Sequence, residues 1–239
     1  MRQSVPMQQS EILYLFDIDG TLLLSGGAGA QALDQVLERR YGIRGAMASI
    51  SPAGKTDLLI LGEIFARHLD RAPEPGEVTT ILAEYVPCLR ATLAAATRFR
   101  LMPAVVEILD FLAGEPGVHL GVATGNSEGG ARAKLEHAGL WHRFALGGYG
   151  DDVSDRAVLV ERAIERGHRH IGRSIARERI VVIGDTLRDV RAARACGVRA
   201  VAVATGSVDR ATLENSNADA VFDTLAELPA WHHRELKGR

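Results

Sequence analysis

Ile12-Leu13-Tyr14-Leu15-Phe16-Asp17-Ile18-Asp19-Gly20-Thr21 joins five consecutive apolar or aromatic residues to a short polar turn. An uninterrupted run of this length fits a strand buried on both faces, as in a parallel sheet covered by helices. Similar runs recur at Val118 to Ala123, Ile180 to Ile183 and Ala200 to Ala204. The first three of the four runs stop against a small or acidic polar group: Asp17, Thr124, and Gly184-Asp185.

Helical patterns fill the intervals. Apolar residues recur at helical spacing over Val105 to Leu112 and Ala157 to Ile164, Gly129 to Ala138 is alanine-rich, and Asp189 to Ala195 precedes Gly197 as a helix stop. Strand and helix in alternation predict a doubly wound α/β fold with right-handed crossovers, whose ligands bind beyond the carboxyl ends of the strands. The polar groups named above fall there.

Residues 25–98 break the alternation. Three candidate helices, Ala28 to Tyr41, Thr56 to Leu69 and Gly76 to Thr97, follow one another with no convincing strand between them. Pro52 and Pro73-Glu74-Pro75-Gly76 separate them, and Pro87 is expected to kink or divide the third. The division is therefore a core of residues 10–24 and 99–239 interrupted by a helical insertion, 25–98, with the return near Phe99 to Pro103. Met1 to Ser10 read as a loose leader.

With 28 basic against 30 acidic residues and a formal charge of −2, no global field favours nucleic acid or an anionic membrane. The basic patches at Arg39-Arg40 and Arg166 to Arg179 lack aromatic interleaving and read as solvated surface. Cys88 and Cys196 form neither a disulfide framework nor a zinc spacing, no run approaches the roughly 18 apolar residues of a membrane span, and the start lacks a signal-like core. A reducing, cytoplasmic setting is expected.

Asp17 and Asp19, one residue apart just past a strand, can direct two carboxylates toward one cavity. One can attack phosphorus while the other protonates the leaving oxygen and later activates water. Gly20 permits a close turn around an anion, although Asp and Gly are also ordinary turn formers. Thr124, with the amides of Gly125 and Asn126 and the start of the following helix, can hold a phosphoryl oxygen. Equally, Thr124, Asn126 or Ser127 can be that helix's N-cap.

Asp185 is placed to ligate magnesium, which takes one or two protein carboxylates and fills its other positions with water and phosphate. Asp189 can support the metal shell or orient a basic side chain, or can simply be the acidic third residue of a helix capped by Thr186. A fixed cation is needed to offset carboxylates beside an anionic substrate. Arg156 is the candidate, with Lys134 and Arg132 as competitors farther from a loop. Gly26-Gly27-Ala28-Gly29 and Gly54-Lys55-Thr56 lack nucleotide-loop spacing, yet Lys55 can reach from the insertion toward an anion.

Taken in order, Asp17-Ile18-Asp19-Gly20-Thr21-Leu22, Thr124-Gly125-Asn126, a downstream basic residue, and Gly184-Asp185-Thr186 with Asp189 resemble the four motifs of the haloacid dehalogenase-like hydrolase superfamily, in particular its phosphoglycolate phosphatase-like members. The resemblance spans nearly the whole chain. It implies a Rossmann-like three-layer core with a helical cap, Asp17 as nucleophile, Asp19 as general acid and base, Thr124 as phosphate ligand, and Asp185 binding Mg2+ with the Asp17 carboxylate and the Asp19 backbone carbonyl. The implied substrate is a small phosphorylated metabolite. Two departures stand out: Arg156 where the family usually has lysine, and Leu187 where proline often follows Gly-Asp-Thr. The rival expectations are a sugar-phosphate mutase using the same acyl-phosphate chemistry and a non-catalytic phosphate- or partner-binding protein. Composition does not settle the oligomeric state.

Overall fold

The computed structural model describes residues 11–151 and 153–238; the leader expected over residues 1–10 lies outside them. In chain order the first elements are β1 (Ile12–Phe16), β2 (Leu23–Leu24), α1 (Ala28–Tyr41), α2 (Asp57–Leu69), α3 (Glu77–Ala94) and β3 (Arg100–Leu101). There follow α4 (Val105–Gly114), β4 (Val118–Ala123), α5 (Glu128–His137), β5 (Leu146–Gly148), α6 (Arg156–Ile171) and β6 (Ile180–Gly184). The last are α7 (Leu187–Ala195), β7 (Arg199–Val203), α8 (Arg210–Glu214), β8 (Ala220–Phe222) and α9 (Leu228–His232).

All five side chains of β1 are buried, as its unbroken apolar run demands. The strand lies inside a six-stranded parallel sheet of order β5-β4-β1-β6-β7-β8. Ile12, Tyr14 and Phe16 face one layer, with Ile108, Leu109 and Leu112 of α4 and Trp231 of α9. Leu13 and Leu15 face the other, with Leu159, Val160 and Ile164 of α6 and Val190 of α7. The result is a three-layer Rossmann-like α/β core. Each large side chain so buried contributes about 1.5–3 kcal/mol.

Tyr14 is the one polar group in this strand, and its hydroxyl lies 2.7 Å from Nδ1 of His232. Burial raises the phenol's pKa and lowers that of the imidazole, so Tyr14 donates to a neutral ring.

Register sets the site. Phe16 is level with Val122 of β4 and Ile183 of β6, so Asp17 emerges beside Ala123 and Gly184, with Thr124 and Asp185 one residue farther along.

Between β2 and β3, which pair antiparallel at Leu23↔Leu101 and Leu24↔Arg100, the chain forms α1, α2 and α3. They share an apolar cluster that includes Val36, Leu37, Leu61, Ile64, Phe65 and Leu89, joined on the core side by Ala133 of α5. The expected division of the third helix does not occur: α3 runs through Pro87 unbroken. Pro87 and Ala83, whose carbonyl loses its usual i+4 donor, are both exposed, so the disturbed turn faces water. The helix also ends at Ala94, short of Thr97, while α6 extends well beyond Ile164 to Ile171. Two sheet strands, β5 and β8, and the β2/β3 ladder come in addition to those expected.

Candidate active site

Asp17 sits at the mouth of the sheet and is 5% exposed. Its Oδ1 lies 2.9 Å from Nη2 of Arg156, and the same nitrogen lies 2.5 Å from Oδ1 of Asp189. Burial, helped by the nearby carboxylates of Asp189 and Asp19, pushes the Asp17 carboxyl up to about 6 against the opposing pull of Arg156. Arg156 is itself buried as the first residue of α6, where Asp155 serves as the N-cap by accepting from Ala157 N at 2.8 Å. Its Nη1 reaches across to the Gly54 carbonyl at 3.3 Å.

Asp185 follows β6 and is 3% exposed. Burial first, then the charges of Asp17 and Asp189, raise its carboxyl to about 8. Gly20 turns with φ +86°, and a β-carbon there would come within 2.6 Å of the Asp185 carboxyl carbon, so only glycine fits the turn. Both sequence readings of Asp189 coexist: its Oδ2 accepts from Thr186 N at 3.0 Å and Thr186 Oγ1 at 2.6 Å in a capping box, while Oδ1 pairs with Arg156.

Carboxylate oxygens of Asp17, Asp185 and Asp189 lie within 4.8 Å of one another. Three buried acids face a single guanidinium, and burial first, then the charges of Asp17 and Asp189, push the Asp185 carboxyl up. A set of hard oxygen donors in that condition fits a divalent cation such as magnesium.

Thr124 is buried and is not the helix cap. Ser127 takes that role for α5, accepting from Gly130 N at 3.3 Å, which leaves Thr124 Oγ1 to accept from Asn126 Nδ2 at 2.8 Å. Asn126 Nδ2 also donates to Asp19 Oδ2 at 2.9 Å. At Gly125 the insertion meets the core. The Gly125 carbonyl accepts from Asp57 N at 2.8 Å, and a β-carbon on Gly125 would fall on the Lys55 carbonyl oxygen. Asp57 in turn accepts from Ser127 N at 2.7 Å.

The structure brings Asp17, Asp19, Gly20, Thr124, Gly125, Asn126, Arg156 and Asp185 around one cavity of about 600 Å3. Lys55 lines it too, with Nζ 2.6 Å from Glu63 Oε2. Arg132 points elsewhere, paired on the surface with Glu136 at 2.7 Å. Lys134, set behind Arg156 on sequence grounds, is buried in the site. Its Nζ lies 2.6 Å from both Asp19 Oδ2 and Asn126 Oδ1. The loop after β7 also contributes: Thr205 Oγ1 donates to the Gly20 carbonyl at 2.6 Å, and Gly206 packs against Asp185. The position of that loop, beyond the carboxyl end of a strand, was the available signal for it.

A parallel sheet covered by helices on both faces, with acidic loops converging beyond the carboxyl ends of its strands, places the chain in the Rossmann-like α/β class with its site where such sheets bind ligands. The sequence profile of haloacid dehalogenase-like hydrolases matches residues 14–203, and the chain belongs to that family. Among relatives, the phosphoglycolate phosphatase of Rhodospirillum rubrum is 30% identical, covering 91% of this chain and 89% of its own. "Probable phosphatase IndB" of Dickeya dadantii is 29% identical, covering 94% and 95%. Among solved structures, CbbY from Rhodobacter sphaeroides in complex with phosphate superposes with a TM-score of 0.67 at 23% identity, covering 91% of this chain and 96% of that one. At that identity the likeness concerns the fold.

Proposed function

We propose that this hydrolase cleaves a small phosphomonoester in two steps through a phosphorylated Asp17. The observation that carries the reading is the Asp17 carboxylate, held by Arg156 at the end of β1 and opening into the cavity with Asp19 two residues away. Phosphatase relatives along nearly the full chain support it.

In the first step an Asp17 oxygen attacks phosphorus and the ester P–O bond breaks, the electron pair leaving with the alcohol oxygen, which takes a proton from the Asp19 carboxyl. In the second, Asp19 as carboxylate removes a proton from water, the water oxygen attacks phosphorus, and the acyl-phosphate bond breaks to regenerate Asp17 and release phosphate. Lys134 and Asn126 fix the Asp19 carboxylate for both transfers. Thr124 and the Gly125 and Asn126 amides receive phosphoryl oxygens, and Arg156, oriented by Asp189, offsets their charge.

Asp17, Asp185 and the Asp19 backbone carbonyl are the groups to hold magnesium, which when bound neutralises the phosphoryl oxygens. The helices of residues 25–98 act as a cap that excludes bulk water and closes over the leaving group, with Lys55, paired with Glu63, at its edge. A cytoplasmic setting belongs to this reading and is supported by two cysteines that remain unpaired.

Phosphate release from a panel of phosphomonoesters, with and without magnesium, tests the reading. Turnover that requires the metal, is lost in Asp17→Asn with the fold retained, and in a single turnover places solvent 18O in the released phosphate and none in Asp17 is the expected result. A protein that binds phosphate analogues yet releases phosphate from none of the esters refutes it.

A further inference from the structure

The cavity over Asp17 has two ends of different character. The end at the sheet is polar and charged. The far end is walled by Leu33, Met47, Ile60, Leu61 and Leu82 from the helical segment, and all but Met47 are 9% exposed or less.

Cations near this end are already matched. Lys55 is held by Glu63 at 2.6 Å, and Lys134 by Asp19 at 2.6 Å. Asp57 adds a buried acid to the lining. Arg100 lines the cavity as an exposed residue, where ion pairs are weak. An anionic leaving group drawn into this end would lose its water beside apolar walls and a carboxylate, with no uncommitted buried cation among the described residues to receive it.

One polar atom at this end does lack a partner. Tyr85 is 5% exposed, lines the cavity, and its hydroxyl makes no hydrogen bond among the described residues. Burial raises its pKa well above the usual phenol value, so the group is a neutral donor. The volume, about 600 Å3, is in the range of roughly 300–1,000 Å3 typical of sites that enclose drug-sized ligands, far more than a two-carbon acid needs.

We infer that the leaving group is an uncharged alcohol with an apolar body of several carbons and one acceptor for Tyr85, and that phosphoglycolate is a poor substrate. The inference rests on the proposed phosphomonoesterase and names its substrate class. Leu82 is then a specificity-determining residue, touching the alcohol and never the phosphoryl group.

The test measures kcat/KM for ethyl, butyl and hexyl phosphates and for phosphoglycolate, with magnesium, on the intact chain. Each buried methylene is expected to raise kcat/KM roughly fourfold, so that hexyl phosphate exceeds ethyl phosphate by roughly two-hundredfold. Phosphoglycolate is expected to fall at or below ethyl phosphate. Leu82→Asn is expected to flatten the series, and Leu82→Met to keep the slope. A flat alkyl series in the wild-type chain, or phosphoglycolate turned over best with that preference lost in Arg100→Ala, overturns the inference and leaves the hydrolase standing. Release of phosphate from none of the four overturns both.

Discussion

The carbonyl oxygen of Lys55 occupies the space that a side chain on Gly125 would need. Gly125 does not have a positive φ, so its requirement is steric. Its own carbonyl accepts from Asp57 N at 2.8 Å, which ties the helical segment to the loop after β4. Gly125→Ala forces that junction apart. An overpacked contact costs about 1–3 kcal/mol, so kcat/KM is expected to fall roughly five- to hundredfold. Steady-state kinetics against thermal unfolding checks this: an equally large loss of global stability would show that more than the junction had moved.

Arg156 does with two nitrogens what a lysine would do with one. Nη2 serves Asp17 and Asp189, and Nη1 reaches the Gly54 carbonyl at 3.3 Å. Arg156→Lys is expected to retain measurable turnover because one ammonium can still meet Asp17, but with a lowered kcat, since the planar fork is lost. Arg156→Met leaves two buried carboxylates unmatched, a change that typically costs about 3–5 kcal/mol. Denaturant titration of the two variants separates them, with Arg156→Met the less stable by the larger margin.

Among the described residues the Lys134 ammonium hydrogen-bonds to Asp19 and Asn126 alone. It is a positioning residue. Lys134→Met is expected to lower kcat by roughly ten- to hundredfold, a fraction of the 10²–10⁴ that positioned acid and base groups supply, with KM changing less. The pH profile of kcat should shift in this variant. An unchanged profile with a raised KM would assign Lys134 to substrate binding instead.

Glu77 holds the start of α3 by accepting from Arg71 at 2.7 and 2.9 Å, from Glu74 N at 2.6 Å and from Tyr41 at 2.8 Å. The Arg71 hydrogen bonds, with that of Glu74 N next, lower its carboxyl to about 2. A depressed folded-state pKa gives stability that is present above the unfolded value near 4.5 and lost as pH falls toward 2. Glu77→Gln should therefore be less stable than the parent at pH 6, with the difference closing as pH falls from 4.5 toward 2. Urea midpoints across that range check it, and a gap that stays constant would contradict it.

The central strands β1, β4, β6 and β7 were legible because a strand buried on both faces has no polar positions to interrupt its run. β5 is Leu-Gly-Gly and β8 is Ala-Val-Phe, three residues each at the sheet edges, and such lengths carry no periodicity. Asp17, Thr124 and Asp185 could be grouped from sequence because each follows a strand in one parallel sheet, and register does the rest. Lys134 could not be placed with them. It sits in the middle of an alanine-rich helix, and its partner Asp19 is 115 residues away, so local pattern says nothing of the contact. The lining of the far cavity was invisible for a related reason: Leu33, Leu61 and Leu82 read as core positions of three amphipathic helices, and only the packing of those helices turns some of them toward a substrate.

The Tyr14 hydroxyl finds its partner 218 residues later, at His232. A phenol buried at the centre of the sheet without a hydrogen bond is costly, so the middle strand of the core depends on the last helix of the chain. A chain cut before Trp231 and His232 would strip Tyr14 of its acceptor and open the apolar face beneath Tyr14 and Phe16.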